Sequence, residues 1–218
     1  MTVRRSDITV RELTPLEARV LGVLVEKQAT VPDSYPLSLN SLLSGCNQKT
    51  ARDPVMNVGE AEVLEAIDGL KQLSLLFETS GSRVVRFEHN AARALGVPTQ
   101  GAALLATLVL RGPQTAAELR LNCERLHHFA DISSVDAFLD ELAAKTPPRV
   151  VKLARAPGER EARWAQLLCG EPPRVAVEAP SPPSAAMAAL ATLEARVALL
   201  EGQMAELLRQ RSVSGAEE

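Results

Sequence analysis

The apolar positions of this chain form two related blocks, each of which begins with helix-spaced residues and ends with alternating ones. Two pairs of segments show the repeat: residues 21–27 align with residues 105–111 at an offset of 84, and residues 63–70 align with residues 135–142 at an offset of 72. The first block is therefore twelve residues longer between its helices. An internal repeat of this kind indicates one supersecondary unit that occurs twice.

Three helices are predicted in each block. In the first, Thr14, Pro15 and Glu17 mark a helix start, because the hydroxyl can accept from first-turn N–H groups and proline fits the first helical position. Apolar stripes predict two further helices there, over residues 37–44 and 60–73. The ranges predicted in the second block are 101–110, 115–128 or slightly less, and 133–144.

Each block then continues into a predicted β-hairpin. Its strands fall at residues 76–78 and 83–87 in the first block, and at residues 150–153 and 162–164 in the second, with glycine in each turn. The order helix, helix, helix, hairpin, found twice, is typical of tandem winged helix-turn-helix domains. We therefore predict an α+β fold that is mostly helical and has small sheets.

The end of the chain predicts a linker and a coiled coil. Residues 170–184 hold five of the 14 prolines, which favours an extended, flexible linker. The apolar residues that follow have a/d heptad spacing: Leu190, Leu193, Val197, Leu200, Met204 and Leu207. This pattern predicts a homodimer, in which Arg196 faces Glu201 of the partner subunit if the helices are parallel. The alternative is a lone amphipathic helix that folds back on the body.

These features divide the sequence into six predicted segments. They are an N-terminal tail over residues 1–12, winged-helix domains over 13–95 and 96–169, a Pro-rich linker over 170–185, a coiled-coil helix over 186–211 and a tail over 212–218.

Composition and charge exclude several classes of protein. A formal net charge of −3 is not that of a generally basic nucleic-acid binder, so any nucleic-acid surface must be local. The longest apolar run, residues 102–110, is about half of what spans a bilayer, and the N-terminus lacks an apolar signal region. Three cysteines far apart suit reduced thiols. We therefore predict a cytoplasmic protein without membrane contact.

The sequence contains no specific catalytic or phosphate-binding motif. Cys123 and His127 are four residues apart on a predicted helix and could bind one metal together, but two ligands make a weak zinc site. We therefore predict that Cys123 is a packed thiol and that the histidines are surface imidazoles. The third predicted helix carries acids that are typical of a solvated face: Glu60, Glu62, Glu65 and Asp68. We predict no enzyme activity, no metal and no cofactor.

Local charge bears on whether the partner is DNA or protein. Winged helices most often place the third helix in the major groove of DNA and the wing against the DNA backbone. Both third helices here are acidic, so they would not release counterions from the phosphates and would lose that contribution to DNA affinity. Cations lie instead on the hairpins and in the extra segment of the first block. We predict these as phosphate contacts, each with a solvated surface cation as its alternative: Lys49, Arg52, Arg83, Arg86, Lys152, Arg155, Arg160 and Arg163.

Two segments closely resemble the signature of the YceH family, a group of uncharacterised bacterial proteins. They are Tyr35-Pro36-Leu37-Ser38-Leu39-Asn40 and Cys46-Asn47-Gln48-Lys49-Thr50-Ala51-Arg52-Asp53-Pro54-Val55-Met56. The resemblance covers about residues 13–170 and implies a tandem winged-helix fold, without implying an activity or catalytic residues. One departure is Ala51, where a polar residue is expected.

The second of these segments coincides with the extra residues of the first block. Its polar part, which we call the signature loop, consists of Asn47, Gln48, Lys49, Thr50, Arg52, Asp53 and Pro54. The hypothesis is that this loop forms the functional surface, with Lys49 and Arg52 facing an anion. The alternative is a loop held by internal bonds, such as Asp53 pairing with Arg52 or capping the next helix.

The sequence thus predicts a dimeric, DNA-binding, transcription-regulator-like factor with double-stranded DNA as its partner. The alternative is a protein-interaction adaptor, which uses the acidic third helices and the coiled coil and binds no nucleic acid. A metal-sensing or small-molecule-sensing regulator has only Cys123, His127 and His128 in its favour.

Overall fold

The computed structural model describes residues 11–79, 84–155, 158–172, 193–197, 199–201 and 203–204. The chain divides into two compact units, Met1–Arg174 and Val175–Glu218. The helices described in the first unit are α1 Pro15–Thr30, α2 Leu39–Cys46, α3 Glu60–Gln72, α4 Ala91–Leu95, α5 Thr99–Arg111, α6 Ala116–Cys123 and α7 Ile132–Ala143. Its strands are β1 Leu37–Ser38, β2 Leu76–Thr79, β3 Arg86–His89, β4 Val150–Lys152 and β5 Trp164–Gln166. The prediction of an α+β chain with small sheets is confirmed.

Helix α1 begins where the sequence predicts. The hydroxyl of Thr14 accepts from the backbone N–H of Glu17, and the carboxylate of Glu17 accepts from the backbone N–H of Thr14 at 2.7 Å. This reciprocal cap satisfies two N–H groups that a helix start otherwise leaves open. Val20 and Leu24 on the same helix are fully buried, so α1 forms the centre of the first block.

The first block also contains a three-stranded antiparallel sheet in the order β1-β3-β2. Leu37 of β1 lies opposite Phe87, and Leu76 of β2 lies opposite His89. The predicted helix over residues 37–44 is wrong at its start, because Ser38 caps α2 with its hydroxyl and leaves residues 37–38 extended for pairing with β3. The second strand of the predicted hairpin begins at Arg86 rather than at residue 83.

The second block repeats this order with shorter strands. Helices α5, α6 and α7 precede the antiparallel pair β4-β5. Gln114, just before α6, pairs with Trp164 of β5: its N–H donates to the carbonyl of Trp164 at 3.1 Å, and the N–H of Trp164 donates back at 2.7 Å. Gln114 thus occupies the place that β1 has in the first block. Helix α6 ends at Cys123, five residues before the outer limit of the predicted range.

The two blocks share a buried core. Helix α1 packs against α5, and Gly22 permits the close approach, since a Cβ there would lie 3.1 Å from Leu110 Cγ and 3.2 Å from Val109 Cγ1. Helix α4, which the sequence does not predict, joins the blocks and contributes Leu95 to this core.

In the second unit, residues 193–197, 199–201 and 203–204 are helical. Four of the predicted heptad residues are described there and are exposed: Leu193, Val197, Leu200 and Met204. Leu190 and Leu207 lie outside the described residues, as does most of the predicted linker. No helix in the described part of the chain is long and apolar enough to cross a membrane.

Candidate functional site

The signature loop is fixed from inside by Arg52. The side chain of Arg52 has no exposure, and its guanidinium donates to both carboxylate oxygens of Glu26, at 3.1 and 2.6 Å, and to the carbonyl of Gly45 at 3.2 Å. Burial favours the neutral form of Glu26, but the hydrogen bonds and charge of Arg52 outweigh it and hold the pKa of Glu26 below its ordinary value. The prediction that Arg52 faces an external anion is therefore wrong, because its donors are turned inward to Glu26.

A second buried arginine closes the same loop. Arg19 on α1 donates to the carbonyl of Cys46 at 3.2 Å and to the carbonyl of Pro54 at 2.6 Å, at the two ends of the loop. Burial, together with the nearby charge of Arg52, lowers the pKa of Arg19. Burial also raises the pKa of the Cys46 thiol to about 11, so this thiol stays protonated near neutral pH and is a poor nucleophile.

Other residues of the signature loop also bond within the protein, among them Asn47 and Asp53. The Asn47 amide donates to the carbonyl of Val58 at 2.9 Å and accepts from its N–H at 2.8 Å. The N–H of Asp53 donates to the carbonyl of Leu110 at 2.8 Å, which ties the loop to α5. The loop is thus held by internal bonds, as the alternative proposed, but Arg52 pairs with Glu26 rather than with Asp53. Within the loop, Lys49, Thr50, Asp53 and Pro54 are exposed.

Ala51 has a backbone conformation that L-residues avoid. Its φ is +56°, in the left-handed region that glycine and asparagine tolerate best. The departure from the family pattern therefore falls on a position where a polar residue such as asparagine has a physical reason to occur. The alanine costs stability here because its Cβ crowds the following carbonyl.

We expect Ala51→Gly to raise the free energy of unfolding by about 0.5–1 kcal/mol, because it removes this crowding. Ala51→Asn is expected to change it in the same direction. Urea denaturation measures the difference. The matched control is Ala137→Gly on the exposed face of α7, away from the helix ends, which is expected to lower the free energy of unfolding by about 1 kcal/mol. If both glycine variants lose stability alike, the strain at Ala51 is not what we infer.

Two further predicted phosphate contacts are engaged within the protein. Arg86 donates to the carbonyl of Pro36 at 2.8 Å and so holds the turn before β1. Arg163 forms ion pairs with Glu118 at 2.8 Å and Glu159 at 3.2 Å. Both side chains are half-buried, and some of their N–H donors are already bonded to these carbonyl and carboxylate oxygens.

The other predicted cations are exposed, or fall outside the described residues. Lys152 extends over the Trp164 ring with Nζ 5.1 Å from the ring centroid, and Arg155 and Arg160 follow on the same hairpin. Lys49 is exposed in the signature loop. Arg83 lies outside the described residues. Of the predicted phosphate contacts that lie in the described residues, four are therefore exposed: Lys49, Lys152, Arg155 and Arg160.

A different feature, which the sequence does not predict as a site, lies beside α3. An open groove runs between the start of α1 and α3. We call it the acidic groove and define it by Arg11, Glu17, Glu62, Glu65, Asp68 and Gly69. The α3 carboxylates of Glu62, Glu65 and Asp68 are exposed along it. The sequence predicted these acids as one charged face of a helix. It did not predict that Arg11 and Glu17 line the same groove.

One end of the acidic groove holds a guanidinium. Arg11 donates to both carboxylate oxygens of Glu17, at 2.8 and 2.6 Å. These bonds, with the backbone bond from Thr14, lower the pKa of Glu17 against the opposing effect of burial. Gly69 makes room for the pair, because a Cβ at that position would overlap Glu17 Oε1 and lie 3.1 Å from Arg11 Nη2.

The residues weighed for metal binding lie apart from the acidic groove. Cys123 is buried, and burial raises the pKa of its thiol. His128 bonds to Glu124 on the exposed surface. Within the described ranges, no group of three or more His, Cys, Asp or Glu side chains is placed to hold a metal.

Comparison with known proteins places this chain in a family. A family model described as "Protein of unknown function, DUF480" matches residues 13–159, which include the signature loop and α3. A UPF0502 protein of Cupriavidus taiwanensis is 64% identical over 220 residues, covering 95% of this chain and 90% of that protein. A UPF0502 protein of Burkholderia pseudomallei is 76% identical over 162 residues, or 74% of this chain and 69% of its own length. One from Leptothrix cholodnii is 73% identical over 161 residues, or 74% of this chain and 72% of its own length. This chain therefore belongs to the DUF480, or UPF0502, family of bacterial proteins, which confirms the family resemblance of its signature segments.

Proposed function

We propose that this chain is a cytoplasmic, dimeric adaptor without catalytic activity, built from two winged helix-turn-helix domains, which binds a basic segment of a partner protein in the acidic groove. Support for the winged-helix arrangement comes from topology. In each block the residue or strand before the second helix pairs with the last strand, as β1 does with β3 and Gln114 does with Trp164. Helices α3 and α7 then take the place of the third helix.

The charge of α3 carries the proposed adaptor function. Its exposed charged residues are all acids: Glu60, Glu62, Glu65 and Asp68. Its one cation, Lys71, is half-buried and pairs with Glu78 at 2.6 Å and Asp68 at 3.6 Å. A third helix with this charge repels phosphates and attracts lysine and arginine side chains. The pair between Arg11 and Glu17 supports the same ligand chemistry, because it places a guanidinium at the end of the acidic groove.

A second candidate function is DNA binding through the second hairpin. Lys152, Arg155 and Arg160 are exposed there, and three neighbouring cations can hold phosphates without any base contact by α7. This candidate keeps the regulator-like function predicted from the sequence. It assigns the contact to the wing rather than to the third helix.

The proposed adaptor function predicts that neutral isosteres in the acidic groove weaken binding of a basic probe. The probe is a fluorescein-labelled hexa-arginine peptide, followed by anisotropy. We expect the Glu62→Gln, Glu65→Gln, Asp68→Asn triple variant to lose affinity about ten-fold, since three exposed charge pairs at roughly 0.5 kcal/mol each sum to that factor. Glutamine at position 62 can still accept from the N–H of Gly59, so the start of α3 is preserved.

The matched control changes three exposed acids away from the groove: Asp33→Asn, Glu161→Gln and Glu171→Gln. It has the same net charge as the groove variant and is expected to bind like the wild type. Equal losses in both variants would show attraction by net charge alone and would contradict the acidic groove as the site. A labelled duplex of about 30 base pairs is titrated in parallel at about 50 and 200 mM salt. Duplex binding that falls about ten-fold between these salts, and is lost in the Lys152→Ala, Arg155→Ala, Arg160→Ala variant, would favour the second candidate.

A further inference from the structure

We propose that the N-terminal segment of this chain, residues 1–10, docks in the acidic groove through Arg4 and Arg5. The segment is then an internal competitor, which a partner has to displace before it binds. The competition rests on the proposed adaptor function, whereas the docking itself can be tested without any partner.

The path of the chain brings this segment to the groove. Arg11 already lies at one end of it, with its guanidinium on Glu17 and close to Gly69. Arg5 is six residues before Arg11, and six extended residues span about 20 Å. Glu62 and Gly69 are seven positions apart, which is only about 10 Å of helix. Both Arg4 and Arg5 can therefore reach the carboxylates along α3.

The charges of the two surfaces are complementary. Arg4, Arg5 and Arg11 lie within eight residues of each other, with Asp7 as the one acid among residues 1–10. In the described part of the chain, Glu62 and Glu65 form no ion pair, and Asp68 has only a 3.6 Å contact with Lys71. The contact of Arg11 with Glu17 of α1 lies beside these acids, so Arg4 and Arg5 continue the same arginine–carboxylate pairing onto α3.

Attachment to the chain makes weak contacts sufficient. Each exposed ion pair contributes little, so a free peptide of this composition would bind feebly. A tether of five or six residues, however, raises the effective concentration of Arg4 and Arg5 at the groove to the millimolar range. Docking therefore needs no apolar pocket.

Trypsin cleavage after Arg4 and Arg5, followed by mass spectrometry of the full chain, tests the docking. We expect the wild type to be cut about five-fold more slowly than the Glu62→Gln, Glu65→Gln, Asp68→Asn variant, because a docked arginine is withheld from the protease. The variant leaves Glu17 and its bonds to Arg11 in place. The Asp33→Asn, Glu161→Gln, Glu171→Gln control is expected to match the wild type. Equal cleavage rates in all three proteins would overturn the docking.

A second measurement separates the two proposals. Arg4→Ser with Arg5→Ser is expected to bind hexa-arginine about five-fold more tightly than the wild type, the same factor as the protection from trypsin, because the competitor is gone. If the adaptor function is wrong, neither protein binds the peptide while the groove still protects Arg4 and Arg5 from trypsin. If the docking is wrong, cleavage rates are equal and the peptide still binds in a groove-dependent way.

Discussion

Arg52→Ala is expected to lower the free energy of unfolding by about 3–5 kcal/mol, the range for removing one partner of a buried ion pair. The guanidinium of Arg52 is fully buried, and Glu26 is nearly so, with 14% of its side chain exposed. Removing Arg52 leaves the Glu26 carboxylate without the donors that offset its desolvation. It also removes the hydrogen bond from Arg52 to the carbonyl of Gly45, so the signature loop loses one of its attachments to α1 and α2, while those made by Arg19 remain.

Urea denaturation measures this loss, and Arg160→Ala serves as the matched control. Arg160 is exposed, so its removal is expected to change the free energy of unfolding by less than about 0.5 kcal/mol. The double variant Arg52→Met, Glu26→Leu is expected to recover much of the stability, because it removes both buried charges together. A loss below about 1 kcal/mol in Arg52→Ala would contradict a structural role for this arginine.

The pair also has a defined pH dependence. The pKa of Glu26 in the folded chain is lowered, so its contribution is fully present above the ordinary carboxyl pKa and is lost as the pH falls through the lowered value. The wild type is therefore expected to lose more stability than Arg52→Ala as the pH is lowered through this acidic range.

Local signals in the sequence predicted the order of the three helices and the hairpin in each block, but not β1 or α4. The start of α1 depends on Thr14, Pro15 and Glu17, which are neighbours in the chain, and the structure confirms it. The start of α2 was predicted two residues too early, because Leu37 is extended by pairing with Phe87, fifty residues further along. A pairing over that distance leaves no trace in the local apolar pattern around residue 37.

The chemistry of the candidate sites was less predictable for a related reason. Arg52 and Arg160 look alike in the sequence, and only the position of Glu26 on α1 shows that one is buried and the other exposed. The acids of α3 were evident, but the groove depends on Gly69 lying against Glu17, a contact between two helices. Side-chain charge could be predicted, whereas the partner of each charge required the fold.

Leu200→Asp is expected to convert the proposed dimer into a monomer, so that the mass measured by sedimentation falls from twice 23.4 kDa to 23.4 kDa. Leu193, Val197, Leu200 and Met204 share one stripe of the C-terminal helix at a/d spacing, and all four are exposed in the single chain. Pairing two copies along this stripe buries them. A carboxylate at position 200 would face its counterpart in the seam and be desolvated without a partner. Fewer than three heptads are involved, so one such substitution suffices.

Leu199→Asp provides the matched control, because Leu199 is the neighbouring leucine and lies off the a/d stripe. The two leucines are similarly exposed, at 61% for Leu199 and 54% for Leu200, so a general effect of adding a charge to this helix would appear in both variants. Only the Leu200 variant is expected to be monomeric over the concentration range in which the wild type is dimeric. A monomeric wild type would contradict the coiled coil and favour the alternative of a lone amphipathic helix. Dimers in all three proteins would place the contact between copies on another surface of the chain.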